Sequence, residues 1–116
     1  MQTSYFRKKG LDEGRAISIA RWQPKGFNFP EAKELAPTKE MMKRPYAYHE
    51  YIALITGRGV TRQILQEKYG EKILCCWEKN RGECHRGFIA QWLGEVGLEV
   101  PEFEQSNKQC SFFMGG

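Results

Sequence analysis

The densest run of chemically capable side chains is Cys76-Trp77-Glu78-Lys79-Asn80-Arg81-Gly82-Glu83-Cys84-His85-Arg86. Downstream of it, Phe88, Ile89, Trp92, Leu93 and Val96 form a helical stripe closed by Gly97, so the helix begins near Cys84. Its first backbone N–H groups, those of His85, Arg86 and Gly87, then lack intrahelical partners, and a helix N-terminus carries roughly half a positive charge. With Arg86 and His85 added, this is a site for a phosphate or carboxylate. The same field lowers the pKa of Cys84 and makes it a thiolate candidate. Glu78 would be repelled by an anion, so it suits a ribose hydroxyl, a general base, or an arginine partner. Trp22 and Trp77 offer faces on which a base can stack, and Arg21 is the second cation. Glu78 and Cys84 are therefore the candidate catalytic residues, with Arg21, Trp22, Trp77, His85 and Arg86 as the candidate ligand-binding set.

These residues need elements to hold them. Ile17 and Ile19 alternate with Ala16, Ser18 and Ala20, which reads as a buried strand ending at Arg21-Trp22, and Pro24 and Gly26 then force a loop. Glu31 to Leu35 and Thr38 to Lys43 have room for one or two helical turns each, the second capped by Thr38. Tyr48, Tyr51, Ile52 and Ile55 share a helix face stopped by Gly57 and Gly59. Val60, Ile64 and Leu65 begin a second stripe that ends at Tyr69-Gly70, where Gly70 suits a left-handed terminus. Lys72 to Trp77 is a near-continuous apolar run of strand length, as at the centre of a sheet covered on both faces. Leu98 to Val100 reads as a short third strand. Strands separated by helices require a crossover, so the expected fold is α/β: a compact three-layer domain with a small, mainly parallel sheet flanked by helices. In such folds ligands bind beyond the carboxyl ends of the strands, which puts Arg21-Trp22, Cys76-Trp77-Glu78 and the start of the last helix on one rim. Residues 1–104 form the expected domain and 105–116 a C-terminal tail that is polar and then carries Phe112-Phe113-Met114.

Composition bounds the partners. A chain of 116 residues has room for one core, and no run approaches the roughly 18 apolar residues of a spanning helix. No membrane partner is expected, and the basic N-terminus lacks an apolar run behind it, so the expected location is the cytoplasm. A net charge of +4 suits an anionic small molecule but falls short of the basic blocks of nucleic-acid arms. In a reducing compartment Cys75, Cys76, Cys84 and Cys110 are expected as free thiols, one of the adjacent pair Cys75-Cys76 being core. Cys76, Cys84, His85 and Cys110 lack a C-x2-C pair, so no metal ligand set and no cofactor is expected. Cys75 and Arg81 have the Cys-x5-Arg spacing of phosphatase loops, without the glycines that would wrap a phosphate. Against the ligand reading stands a plainer one, in which Cys84 is a buried cap, Arg86 is solvated or paired to Glu78, and Cys76 is simple core. Arg58, Arg62 and Lys68 read as a solvated helix face, and His49 as a surface or interhelical histidine.

The segment Leu74-Cys75-Cys76-Trp77-Glu78 through Cys84-His85-Arg86 and Trp92-Leu93, with Ile17 to Pro24 and Leu35 to Thr38 upstream, resembles the family catalogued as domain of unknown function 488. The likeness covers about residues 14 to 103; its Cys-x-Glu and Cys-His-Arg fall on Cys76, Glu78, Cys84, His85 and Arg86, and its strand-end arginine on Arg21. Many members carry an acid two positions before that arginine, where this chain has Ile19. The resemblance implies a three-layer α/β domain and a nucleotide or nucleic-acid context, without a settled reaction. The expected function is binding of an anionic, nucleotide-like ligand at the rim, with Glu78 or Cys84 carrying any cleavage. The alternative is a non-catalytic viral or conflict-system protein that sequesters a signal nucleotide or blocks a protein partner. Turnover separates the two.

Overall fold

The computed structural model describes residues 1–104. Three strands, β1 (Gln2–Tyr5), β2 (Ala16–Ser18) and β3 (Ile73–Cys76), form a wholly parallel sheet in the order β1-β3-β2. Register places Gln2 opposite Ile73 and Tyr5 opposite Cys76 on one side, and Ala16 opposite Ile73 and Ser18 opposite Cys75 on the other. β3 is central and buried throughout, as its apolar run requires. The sequence reading left β1 unassigned: in Gln2-Thr3-Ser4-Tyr5 the buried residues are Thr3 and Ser4, so no apolar pattern marks the strand.

The connection from β2 to β3 carries the helices α1 (Tyr48–Gly57) and α2 (Arg62–Tyr69), and α3 (His85–Gly94) follows β3. All three bury their apolar residues against Ile17, Ile19, Leu74 and Cys76, so they lie on one face of the sheet. The opposite face is covered by loop: Phe6, Phe103, Leu11, Phe27 and Phe29 pack on Ala16, Ala20, Ile73 and Cys75. The two coverings and the sheet make three layers, the third built of irregular chain and stacked phenylalanines. Alternation along β3 sends Leu74 and Cys76 toward the helices and Ile73 and Cys75 toward the loops.

Several local details depart from expectation. Leu98–Val100 is no strand; the chain instead reaches β1 two residues later, in an isolated bridge between Thr3 and Glu102. Val96 is exposed, because α3 ends at Gly94 before its stripe reaches that residue. Gly70 keeps a right-handed φ of −56°, and the reason for glycine is space, since a Cβ there would collide with the Gln66 carbonyl. Gly97, with φ of +86°, does take the left-handed turn. The two short helical turns are 3-10 helices, Lys33–Leu35 and Met41–Lys43, and Thr38 Oγ1 accepts from the Met41 N–H at 3.0 Å. No helix among the described residues is long and apolar enough to cross a membrane.

Candidate functional site

Strand ends and a helix start meet where the α/β rule places a ligand. Beyond β2, the Ile19 N–H donates to the Cys75 carbonyl at 3.0 Å and the Ala20 N–H to Ser18 Oγ at 3.2 Å, which fixes the chain as it turns out to Arg21 and Trp22. Beyond β3, Trp77 Nε1–H donates to the Trp22 carbonyl at 2.6 Å and its ring meets Phe6 edge-on, so the two tryptophans form one half-exposed ledge. Beside the ledge lies a cleft of about 670 Å³ lined by Arg21, Trp22, Trp77, Glu78, Cys84 and His85, and also by Met41, Met42, Arg44, Pro45, Tyr46 and Phe88. Its size is that of a small-molecule site.

Two arginines line this cleft, Arg21 and Arg44, and Arg44 is already paired with Glu40 and Glu50. The Arg21 guanidinium lies 5.4 Å from the Trp22 ring, and its Nε is buried with no hydrogen-bond partner among the described residues. A buried donor without an acceptor is costly, and the rest of the half-buried guanidinium side chain stands at the cleft wall.

Arg86 does something else. Its side chain is fully buried and every contact is internal: a two-pronged pair with Glu102 (3.1 and 3.0 Å), the Glu78 carbonyl at 2.6 Å, the Lys79 carbonyl at 3.0 Å and Cys76 Sγ at 3.1 Å. Thr3 donates to Glu102 and accepts from Arg81, which also reaches the Val100 carbonyl at 2.6 Å. The expected anion ligand is therefore a clamp joining α3, the loop after β3 and the segment at Glu102. The expected pairing with Glu78 exists through its backbone, while the carboxylate comes from Glu102, which no sequence pattern singled out. Arg81, by the same bonds, is not the arginine of a phosphatase loop, and Cys75 faces the other side of the sheet.

His85, the first residue of α3, is buried, and its ring packs 5.4 Å from Tyr51. Nε2 lies 2.8 Å from the Ile19 carbonyl, which can only accept, so Nε2 carries the proton and Nδ1 keeps its lone pair. Burial pushes the pKa of His85 down to about 4, with the Arg86 charge acting in the same direction. Neutral at pH 7, it supplies no charge to an anion, contrary to the sequence reading. Its bare Nδ1 faces Cys84 Sγ at 3.7 Å.

Cys84 is the N-cap residue of α3 and Cys76 the last residue of β3, and the structure joins their sulfurs in a disulfide. The expectation of free thiols is overturned for this pair, because the seven intervening residues loop back to bring the helix start onto the strand end. Cys84 held in a disulfide is no nucleophile. Cys75 alone stays free among the described cysteines, and burial lifts its pKa to about 12. Spacing gave no metal set, yet Cys76, Cys84 and His85 bring their donor atoms within 4.8 Å of one another. Cys110 lies outside the described residues, as does the rest of the tail.

Arg58, Arg62 and Lys68 are not merely solvated. Arg58 donates to the Glu34 and Ala36 carbonyls, Arg62 to the Trp92 carbonyl and Glu95, and Lys68 pairs with Glu34, so each ties one element to another. His49 is exposed. The segment around Met41 to Tyr46, which lines the cleft, went unnoticed in the sequence because it lies about 20 to 35 residues from the two rim motifs; its one signal is an aromatic and basic cluster around Pro45. Comparison with family models, with curated proteins and with solved structures gives no match to this chain.

Proposed function

We propose that the protein binds an anionic, nucleotide-like small molecule in the cleft beyond the carboxyl ends of β2 and β3. The observation that carries this reading is the buried Arg21 Nε without a partner, at the wall of a cleft whose rim is the Trp22-Trp77 ledge. A phosphate or carboxylate satisfies the arginine, and a planar base stacks on indole. The likeness to the family of domain of unknown function 488 supports the same context, since its strand-end arginine and Cys-x-Glu fall on Arg21, Cys76 and Glu78. Arg86 and His85 act from behind, holding the wall in place. Glu78, at the edge of the cleft, is the group left for any proton transfer.

The experiment is calorimetry with a panel of nucleoside mono-, di- and triphosphates beside inorganic phosphate, run on the wild type and on Arg21→Ala. The expected result is saturable binding of a base-bearing member that weakens roughly ten- to a hundredfold in Arg21→Ala, the loss of one charge-assisted contact. Failure of every phosphate-bearing compound to bind overturns the reading. Chromatography of the bound compound after long incubation then tells cleavage from sequestration.

A further inference from the structure

We infer that, once reduced, Cys76, Cys84 and His85 form a binding site for a zinc-class divalent ion, with Cys76 Sγ, Cys84 Sγ and His85 Nδ1 as its three protein ligands and a fourth position opening into the cleft. This goes beyond ligand binding at Arg21 and stands whether or not a nucleotide binds.

The donor set is what such an ion takes: two thiolates and a neutral imidazole, all within 4.8 Å. Three features of the surroundings are those of a metal centre rather than of a plain disulfide. The first is the histidine. Its Nε2–H is anchored on the Ile19 carbonyl at 2.8 Å, which fixes the tautomer and aims the Nδ1 lone pair at the sulfurs. A carbonyl on the far nitrogen is the usual support of a metal-ligating imidazole. The second is the spacing of the backbones. The Cα atoms of Cys76 and Cys84 are 7.1 Å apart, just beyond the range that most disulfides span, a separation that suits two thiolates sharing one ion. The third is charge. Arg86 donates to Cys76 Sγ at 3.1 Å and is itself neutralised by Glu102, so a dication with two thiolates leaves no uncompensated charge in the buried wall.

The chemistry balances. Two equivalents of a thiol, RSH, convert the disulfide to two cysteine thiols and one RSSR. The dication then displaces the two thiol protons to give the dithiolate complex and two H⁺. Three protein ligands with one position left open is the arrangement of catalytic rather than structural zinc. Here the open position lies on the wall that Glu78 and Arg21 share.

The test uses the full chain carrying Cys110→Ser, so that Cys75, Cys76 and Cys84 are its only thiols. It is reduced with a phosphine without oxygen, freed of reductant, and titrated with Co²⁺ and then Zn²⁺. The expected result is one Co²⁺ per chain, with the visible bands of a tetrahedral site and a thiolate charge-transfer band, all displaced by Zn²⁺. Cys84→Ser should reduce the charge-transfer band by about half, and His85→Gln should weaken binding by at least tenfold. Serine is a good N-cap, so Cys84→Ser keeps α3 and decides the matter even if Cys76→Ser or His85→Gln does not fold. Arg21→Ala should leave the cobalt spectrum unchanged, which separates this site from the nucleotide reading. Absence of stoichiometric binding by the reduced chain, or a spectrum unaltered in Cys84→Ser, overturns the inference.

Discussion

At the scale of single residues, the two arginines of the rim differ in kind. Arg86 donates from inside the fold to Glu102 and two backbone carbonyls, so Arg86→Ala removes the fully buried hub of that network, leaves Glu102 to Thr3 alone, and should cost about 3 kcal/mol in thermal or denaturant unfolding. Arg21→Ala removes a donor that has no internal partner at Nε and should leave the melting temperature nearly unchanged. Equal losses from the two would place Arg21 in the clamp as well. His85 contributes a pH dependence of definite sign. Its folded-state pKa of about 4 lies below the ordinary 6.5, so between these values the unfolded chain binds a proton that the folded chain does not. Stability should therefore fall as pH drops from about 6.5 to about 4, by up to tenfold in the folding equilibrium per pH unit, and His85→Gln should flatten that part of the profile.

At the scale of elements, α3 carries both the cap of the site and much of the core. Trp92 and Leu93 bury the helix against the sheet, and Arg62 reaches across to the Trp92 carbonyl at 2.8 Å with its guanidinium 4.9 Å from the ring. Trp92→Ala should cost roughly 3–5 kcal/mol in denaturant unfolding. The start of the same helix depends on Gly87, where a Cβ would fall inside contact distance of the Arg81 carbonyl in the 3-10 turn Arg81–Glu83 that precedes α3. Gly87→Ala should push that turn away and lower the melting temperature, although alanine is the better helix former; an unchanged or raised melting temperature would show that the turn yields freely. The periodicity of Phe88 to Leu93 marked α3 and placed its start near Cys84, the N-cap, because an amphipathic helix shows its buried face in its stripe; the stripe ran on to Val96, past the observed end at Gly94. β1 could not be read in that way. Its buried residues are Thr3 and Ser4, and it is a strand because β3 offers it an edge.

At the scale of the whole molecule, the disulfide closes a short loop between the central strand and the last helix. In the loop-entropy account its reduction without metal should lower stability by roughly 2–3 kcal/mol, measured as the shift of the denaturant midpoint with and without a phosphine. No shift would mean that the reduced sulfurs hold the loop equally well. The clamp around Arg86 spans residues 3 to 102, so almost the full described length of the chain must fold before the site wall exists. By itself the sequence determined the α/β class, the buried central strand, the last helix and the rim on which Arg21, Trp77 and Cys84 meet. These follow from hydrophobic periodicity and from the rule that parallel strands need crossovers, both of which are written locally along the chain. The tertiary structure alone decided that Arg86 is tied into the fold while Arg21 stands at the cleft, that Cys76 meets Cys84, that His85 is neutral, and that Met41, Met42, Arg44, Pro45 and Tyr46 line the cleft. Those facts depend on which distant groups become neighbours and on how much water is removed around them. A carboxylate such as Glu102 carries no mark in the sequence of the arginine 16 residues away that it will neutralise.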